Sequence, residues 1–320
     1  MRTIPATVLA LCGVALLLPD AAGAQQRRSG YMSSIDTTVA IERGGVVELS
    51  HISGDVTVTT WNRDEVRVVA FAERARIISD FSRQRVSLRI EDPDRDNRDN
   101  RGDRGRDRSR RGDWIGESSY EITVPTGVRV VAVTISGDVS VVGTNGQVSA
   151  RTVSGDATVE DARGMVEVAS VGGDATLRRA NGRMTVTTVS GDASISNGTG
   201  DVRASTVSGD VALEAMRASS VEASTTSGDV TYGGPIDPSG RYDLTTHSGD
   251  IILSIPADTR ATVTASTFSG ELDTDFPVTL APASTARQRG STLEFPLGAG
   301  GGAAIALRTF SGDIVLRRPR

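Results

Sequence analysis

The sequence holds a single cysteine, two histidines, few aromatic residues and no lysine. Its one cysteine, Cys12, lies inside the first apolar run. Beyond that run the chain can form no disulfide, no thiolate metal site and no cysteine nucleophile. Aromatic residues make up 4% of the chain, while Val, Thr, Ala, Ser and Gly dominate. That mixture excludes an ordinary core built on large rings. With lysine absent, 35 arginines face 40 acidic residues for a formal charge of −5. Such a balance excludes the basic face that a nucleic-acid partner requires. Long apolar runs are missing too: after residue 18 no eighteen-residue stretch is uninterrupted, so no transmembrane helix is expected once the start of the chain is removed.

The start itself has the pattern of a secretory signal. Met1 and Arg2 precede an apolar run from Ile4 to Leu18, followed by Pro19 and Ala22-Gly23-Ala24. Small residues at Ala22 and Ala24 suit a peptidase that cleaves before Gln25. The expected organisation is a signal peptide at 1–24 and one mature domain at 25–320, exported to the periplasm, cell surface or medium. Lipid attachment at Cys12 is disfavoured, because Leu11 is bulky and the cysteine comes before the run is finished.

What the chain has in abundance is a repeat. Ser-Gly-Asp begins at Ser53, Ser136, Ser154, Ser190, Ser208, Ser227, Ser248 and Ser311, with variants at Gly172-Gly173-Asp174 and Ser269-Gly270-Glu271. From Ser136 to Ser208 the step is 18 residues, then 19, then 21 twice, then 42. The last gap has room for a worn copy at Gly290-Ser291-Thr292-Leu293-Glu294-Phe295. Within one unit apolar residues alternate, as at Ala157, Val159, Val166, Val168 and Val171. Period two predicts strands and excludes helices of any length. Ser-Gly-Asp is a credible corner, since Ser and Asp bond nearby backbone and Gly accepts positive φ; Asn145-Gly146 and Asn181-Gly182 are read as the second corner. A single 18-residue unit buries too little to fold alone, so the units must stack.

The predicted fold is therefore all-β: one parallel β-solenoid of about ten coils, each 18–21 residues, forming a rod roughly 50 Å long at strand spacing. The structural turns would be held by Gly54, Gly137, Gly155, Gly173, Gly191, Gly209, Gly228, Gly249, Gly270 and Gly312. The stretch from Ile35 to Ile90 is expected to cap the rod. Residues 91–113 interrupt it with eight arginines, eight acids and almost nothing apolar. That insert is expected to be a disordered loop; its Arg101-Gly102-Asp103 and Arg111-Gly112-Asp113 tripeptides are the chance product of its composition.

These repeats, with the strand-Pro lead-ins at Val124-Pro125 and Ile255-Pro256, resemble the bacterial putative-adhesin family of unknown function over residues 35–320. The resemblance implies an exported β-solenoid in the cell envelope or at the surface. It implies no chemistry and no cofactor.

Three kinds of site compete in the residues themselves. The acids Asp138, Asp156, Asp174, Asp192, Asp210, Asp229 and Asp250 would form a column about 5 Å apart. Either hydrogen bonds within each turn relieve their repulsion, or Ca²⁺ sits between neighbours. The first is expected, because one carboxylate per coil is too few for calcium. Hydroxyls recur in Thr134-Ile135-Ser136, Thr152-Val153-Ser154, Thr188-Val189-Ser190 and Thr206-Val207-Ser208. They are read as strand-forming residues pairing across coils, against an outward ladder for water or glycan. For catalysis, His51 and His247 sit beside turns, where they are taken as substituted structural positions, and coils this short leave no groove for the paired carboxylates of a polysaccharide-active enzyme. The function expected is thus a non-enzymatic adhesin or envelope scaffold with a repetitive surface, its partner a glycan, protein or envelope component, and with edge-to-edge self-association open to it. A polysaccharide-active β-helix enzyme and a calcium-binding repeat protein are the alternatives.

Overall fold

The computed structural model describes residues 32–73, 75–91, 118–277, 291–298 and 301–319. The segment expected to be cleaved at 1–24 lies outside the described residues, as does the insert at 91–113 apart from Glu91. Among the described residues the fold is an all-β solenoid without helices. Two sheets of thirteen strands each share one apolar core, and the chain alternates between them.

A middle coil shows how the sequence builds this. Ala157–Glu160 lies in one sheet and Arg163–Ala169 in the other. Each pairs in parallel with the strand 18 residues on, Ala157 opposite Ala175 and Val166 opposite Met184. Equal steps put like residues at equal heights, so Val139, Ala157, Ala175, Ala193 and Val211 form a buried column, and Val141, Val159, Leu177, Ile195 and Leu213 a second. Small and β-branched side chains fill the narrow space between sheets, which is why so few aromatics are needed.

The ten expected turn glycines stack in one column. Eight of them have φ between 116° and 159°, but the stronger requirement is space. A Cβ on Gly155 would lie 2.3 Å from the Gly137 carbonyl oxygen, and one on Gly191 2.3 Å from that of Gly173. The backbones of successive corners touch, and only a residue without a side chain allows it.

The second corner falls earlier than Asn145-Gly146 suggests. The chain turns at Gly143, Asp161, Arg179, Asn197 and Ala215, all with φ between 51° and 85°. The residue after the turn points inward, so Thr144, Ala162, Ala180 and Met216 add a buried position per coil that strict alternation misses. Gly182, expected to make the corner, lies within the following strand, as do its equivalents Gly164 and Gly200.

Both ends depart from a simple winding. Val46–Ser50 and Asp55–Trp61 flank the Ser53 corner and stack directly on Arg129–Val133 and Val139–Val142. Outside them lie Arg85–Glu91 and Ser118–Pro125, which run parallel. Antiparallel strands Glu65–Glu73, Met32–Ala40 and Arg76–Phe81 then close this end, as a cap should. At the other end the worn copy is not a coil. Ser291–Leu297 runs antiparallel along Ala261–Ser269 at the sheet edge. The chain then returns, and Ala303–Ser311 inserts between Ile236–Ser248 and Ala261–Ser269. The glycine column therefore runs Gly249, Gly312, Gly270, out of chain order. Lacking a Gly-Asp corner, the 291–297 segment cannot extend the corner column and pairs by its strand edge instead.

Replacing Gly191 by Ala should cost about 2–4 kcal/mol, since neither backbone can retreat without parting two coils. Gly127, with nothing within 4 Å of an added Cβ, should tolerate Ala within about 0.5 kcal/mol. Urea unfolding of both variants against the parent measures the difference.

Candidate functional site: the Ser-Gly-Asp edge

The corners bring the sequence-predicted residues together along one edge of the rod. Because they approach so closely, the regular backbone ladder fails there at one amide and one carbonyl per coil. Side chains make up both. The Asp156 amide donates to Asp138 Oδ1 at 2.9 Å, Asp174 to Asp156 at 2.9 Å, and Asp192 to Asp174 at 2.9 Å. Asp210, Asp229 and Asp250 continue the series at 2.8 Å each. The carboxylates are thus relieved by hydrogen bonds, but from the neighbouring turn rather than from their own. The ladder also extends beyond the expected seven, from Asp55 at one end to Asp313 and the Glu271 amide at the other. Among the described residues no group of three acidic, imidazole or thiol side chains converges as a metal site.

The carbonyl is satisfied by the hydroxyl residue that precedes most corners, Thr134 being an exception whose buried hydroxyl has no partner. Thr152 Oγ1 donates to the Gly137 carbonyl at 3.0 Å, Thr188 to Gly173, Thr206 to Gly191, and Thr225 to Gly209, each at 2.9 Å. Ser170 does the same for Gly155 at 2.9 Å. These hydroxyls are buried. They form neither an outward ladder nor hydroxyl pairs, because one threonine methyl and one hydroxyl fit a site that is half core and half corner. An unmade bond to a buried carbonyl costs about 1–3 kcal/mol, which accounts for the recurrence of threonine.

In the motif Thr-x-Ser-Gly-Asp the threonine, glycine and aspartate are therefore all explained by folding. The position x is not. Their apolar character suggests that Val153, Val171, Val189 and Val207 belong to the core, yet they point outward, as does Ile135, with 41–52% of their surface exposed. Strand parity runs on to the corner: Val148, Ala150 and Thr152 face inward, so Val153 one residue later faces out. Thr226 and His247 follow in the same column, then Phe310 and Phe268 at 49% and 55% exposure. The rings of His247, Phe310 and Phe268 stack face to face, with centroids 4.9 and 4.8 Å apart. The result is an unbroken column, one side chain per coil and mostly apolar, with the exposed serines and aspartates on one side.

The two histidines occupy different slots. His247 is in the outward column. His51 stands where other coils have the inward threonine, is 2% exposed, and packs against the Tyr120 ring at 4.5 Å. Its Nε2 lies 3.3 Å from Ser118 Oγ, which itself bonds the Ser53 carbonyl. Burial lowers its pKa, against the opposing influence of the Ser53 and Ser118 backbone and Asp55. A neutral, buried imidazole is out of reach of a substrate. Two shallow depressions lie far from it in character, near Glu42, Arg43, Asp64 and Arg83 and around Gly44, Gln84 and Arg85. Asp64 in the first is already paired with Arg43 at 3.5 Å.

Residues 183–317 match the family model Toastrack DUF4097. Two solved structures are matched along most of the chain. One, from Clostridium sporogenes, is described as a putative cell adhesion protein; it shares 8% identity at a TM-score of 0.22, over 90% of this chain and 100% of its own. The other, from Parabacteroides distasonis, is described as a putative adhesin, with 10% identity and a TM-score of 0.27 over 90% and 98%. No curated protein matches the chain.

Two predictions come from this geometry. Asp192→Asn keeps an oxygen for the Asp210 amide and removes a charge from the column, so it should leave stability equal or higher, whereas Asp192→Ala should cost about 1–2 kcal/mol. Thermal melts should show the same order with calcium or with chelator; a calcium-dependent parent midpoint lost in the Asn variant would make the column a metal site. For His51 the unfolded state takes up a proton near pH 6.5 and the folded state only at lower pH. Stability is then complete above about pH 6.5 and falls as the pH drops below it, by at most about 1.4 kcal/mol per unit. The gap between parent and His51→Thr melting curves should narrow from pH 7 to pH 5.

Proposed function

We propose that this chain is an exported, non-enzymatic, adhesin-like rod whose working surface is the outward column of the Ser-Gly-Asp edge. One observation carries this: the position that folding leaves free is apolar in coil after coil, Ile135, Val153, Val171, Val189, Val207, Phe310 and Phe268, where a solvated residue would serve the fold equally well. An exposed column of that length, interrupted only by Thr226 and His247, is characteristic of an interaction surface. Several things support absence of catalysis. His51 is buried, and the aspartates are engaged as acceptors in a repeating ladder. The names given to the two similar structures agree with an adhesive role without adding weight to it. Export rests on the segment from Met1 to Ala24.

Expressed in a bacterial host, the exported protein should begin at Gln25 by N-terminal sequencing. It should sediment with the envelope fraction, while Val153→Asp/Val189→Asp, folded by circular dichroism, should be released into the soluble fraction. Equal retention of parent and variant would sink the docking role of the column.

A further inference from the structure

The outward column also carries an indication of what it meets. We propose that two copies of this chain pair along it, side by side and parallel, about a two-fold axis that runs along the rod. This rests on reading the column as the docking edge, and it names the occupant as a second copy.

Three features lead there. The first is regularity. Strands stack one coil at a time at a spacing of about 4.8 Å, so a second copy in the same register offers a matching side chain at every step, Val opposite Val and Phe opposite Phe. A two-fold contact of this kind is self-complementary. The second is area. Seven side chains of valine to phenylalanine size are about half exposed, on the order of 600 Å² per copy. Both copies then bury roughly 1,200 Å², the lower bound of a specific interface.

The third is charge, and it selects the orientation. On one side of the column run the exposed carboxylates of Asp138, Asp156, Asp174, Asp192 and Asp210. On the other side the neighbouring outward positions are Arg151, Ala169, Thr187, Ser205, Ser224 and Arg308, none of them acidic. A two-fold axis across the rod would set acid column against acid column over the whole length. An axis along the rod sets each acid column opposite the hydroxyl and arginine side. Like charges facing at close range are disfavoured. Arg151 and Arg308 already pair with Glu167 and Asp243 at 2.6 and 2.7 Å, yet their side chains remain 52% and 53% exposed. A guanidinium has five donors, so each keeps N–H groups for an aspartate of the second copy.

The orientation makes the test sharp. Cys12 is replaced by Ser, and Ile135→Cys, Val207→Cys and Phe268→Cys are made singly in the exported protein, with Thr158→Cys on the opposite sheet as control. A parallel pair puts every column residue opposite its own counterpart, so all three should form disulfide dimers under mild oxidant at least tenfold faster than Thr158→Cys. In an antiparallel pair at most one of the three can do so, and that pattern would overturn the parallel arrangement. Sedimentation of the parent should give twice the monomer mass at tens of micromolar, and Val153→Asp/Val189→Asp should return it to monomer. A monomeric parent with control-level crosslinking overturns pairing. If such a monomer still sediments with the envelope through its column, the docking edge survives and only the second copy is wrong. A dimer whose column substitutions leave envelope retention unchanged gives the converse.

Discussion

The stacking of glycine backbone on glycine backbone at each corner is the constraint from which the rest follows. Coils one strand spacing apart cannot turn sharply in register unless the inner corner residue lacks a Cβ: one added at Gly137, Gly155, Gly173, Gly191 or Gly209 would fall 2.1–2.3 Å from the carbonyl oxygen of the preceding corner. That approach leaves an amide and a carbonyl per coil without ladder partners. Aspartate supplies the acceptor and threonine the donor, each reaching to the adjacent coil. The motif is thus one device with three parts. Removing an aspartate leaves the amide of the next coil without its acceptor, and removing a threonine leaves the carbonyl of the preceding coil without its donor.

Stacking of this kind has no natural end, and an open sheet edge invites further pairing. At the start of the solenoid the chain switches to antiparallel strands in both sheets. At the other end it overshoots, lays Ser291–Leu297 antiparallel at the margin with Pro296 in it, and returns to insert the last true coil one step inward. A proline cannot donate to a further strand, which suits an edge. Completing the rod therefore requires that the final coil enter between two others.

Against this economy the outward column stands apart. The threonine and aspartate side chains of each corner reach a neighbour above or below, whereas the column residues join the stack only through their carbonyls, as Ile135 does with the Ser154 amide, and leave their side chains free. Seven of the nine are apolar between Ile135 and Phe268, with Thr226 and His247 as the exceptions, even though coil length changes from 18 to 21 residues along the way.

Much of this was legible in the residues. The 18-residue step, the strands, the ten glycine corners and the aspartate column all follow from local chemistry repeated, and repetition forces like residues to equal heights. Direction at the corners is misread from residue type. The apolar character of Val153 and Val171 suggests the core, but strand parity from Val148 and Ala150 puts the polar Thr152 inside and Val153 outside, and the hydroxyl is kept in because a corner carbonyl needs it. His51 looked like an apolar position beside a turn and proved to occupy the threonine slot, a distinction of one residue. Nor could the sequence show that Leu293 and Phe295 run backward along Ala261–Ser269, or that Gly312 stacks between Gly249 and Gly270. Coil order at the ends depends on which edge is free when the strand arrives. The repeat by itself determined that coils stack and what holds each corner; only the assembled rod decided which coil lies next to which, and which side of the corner meets water.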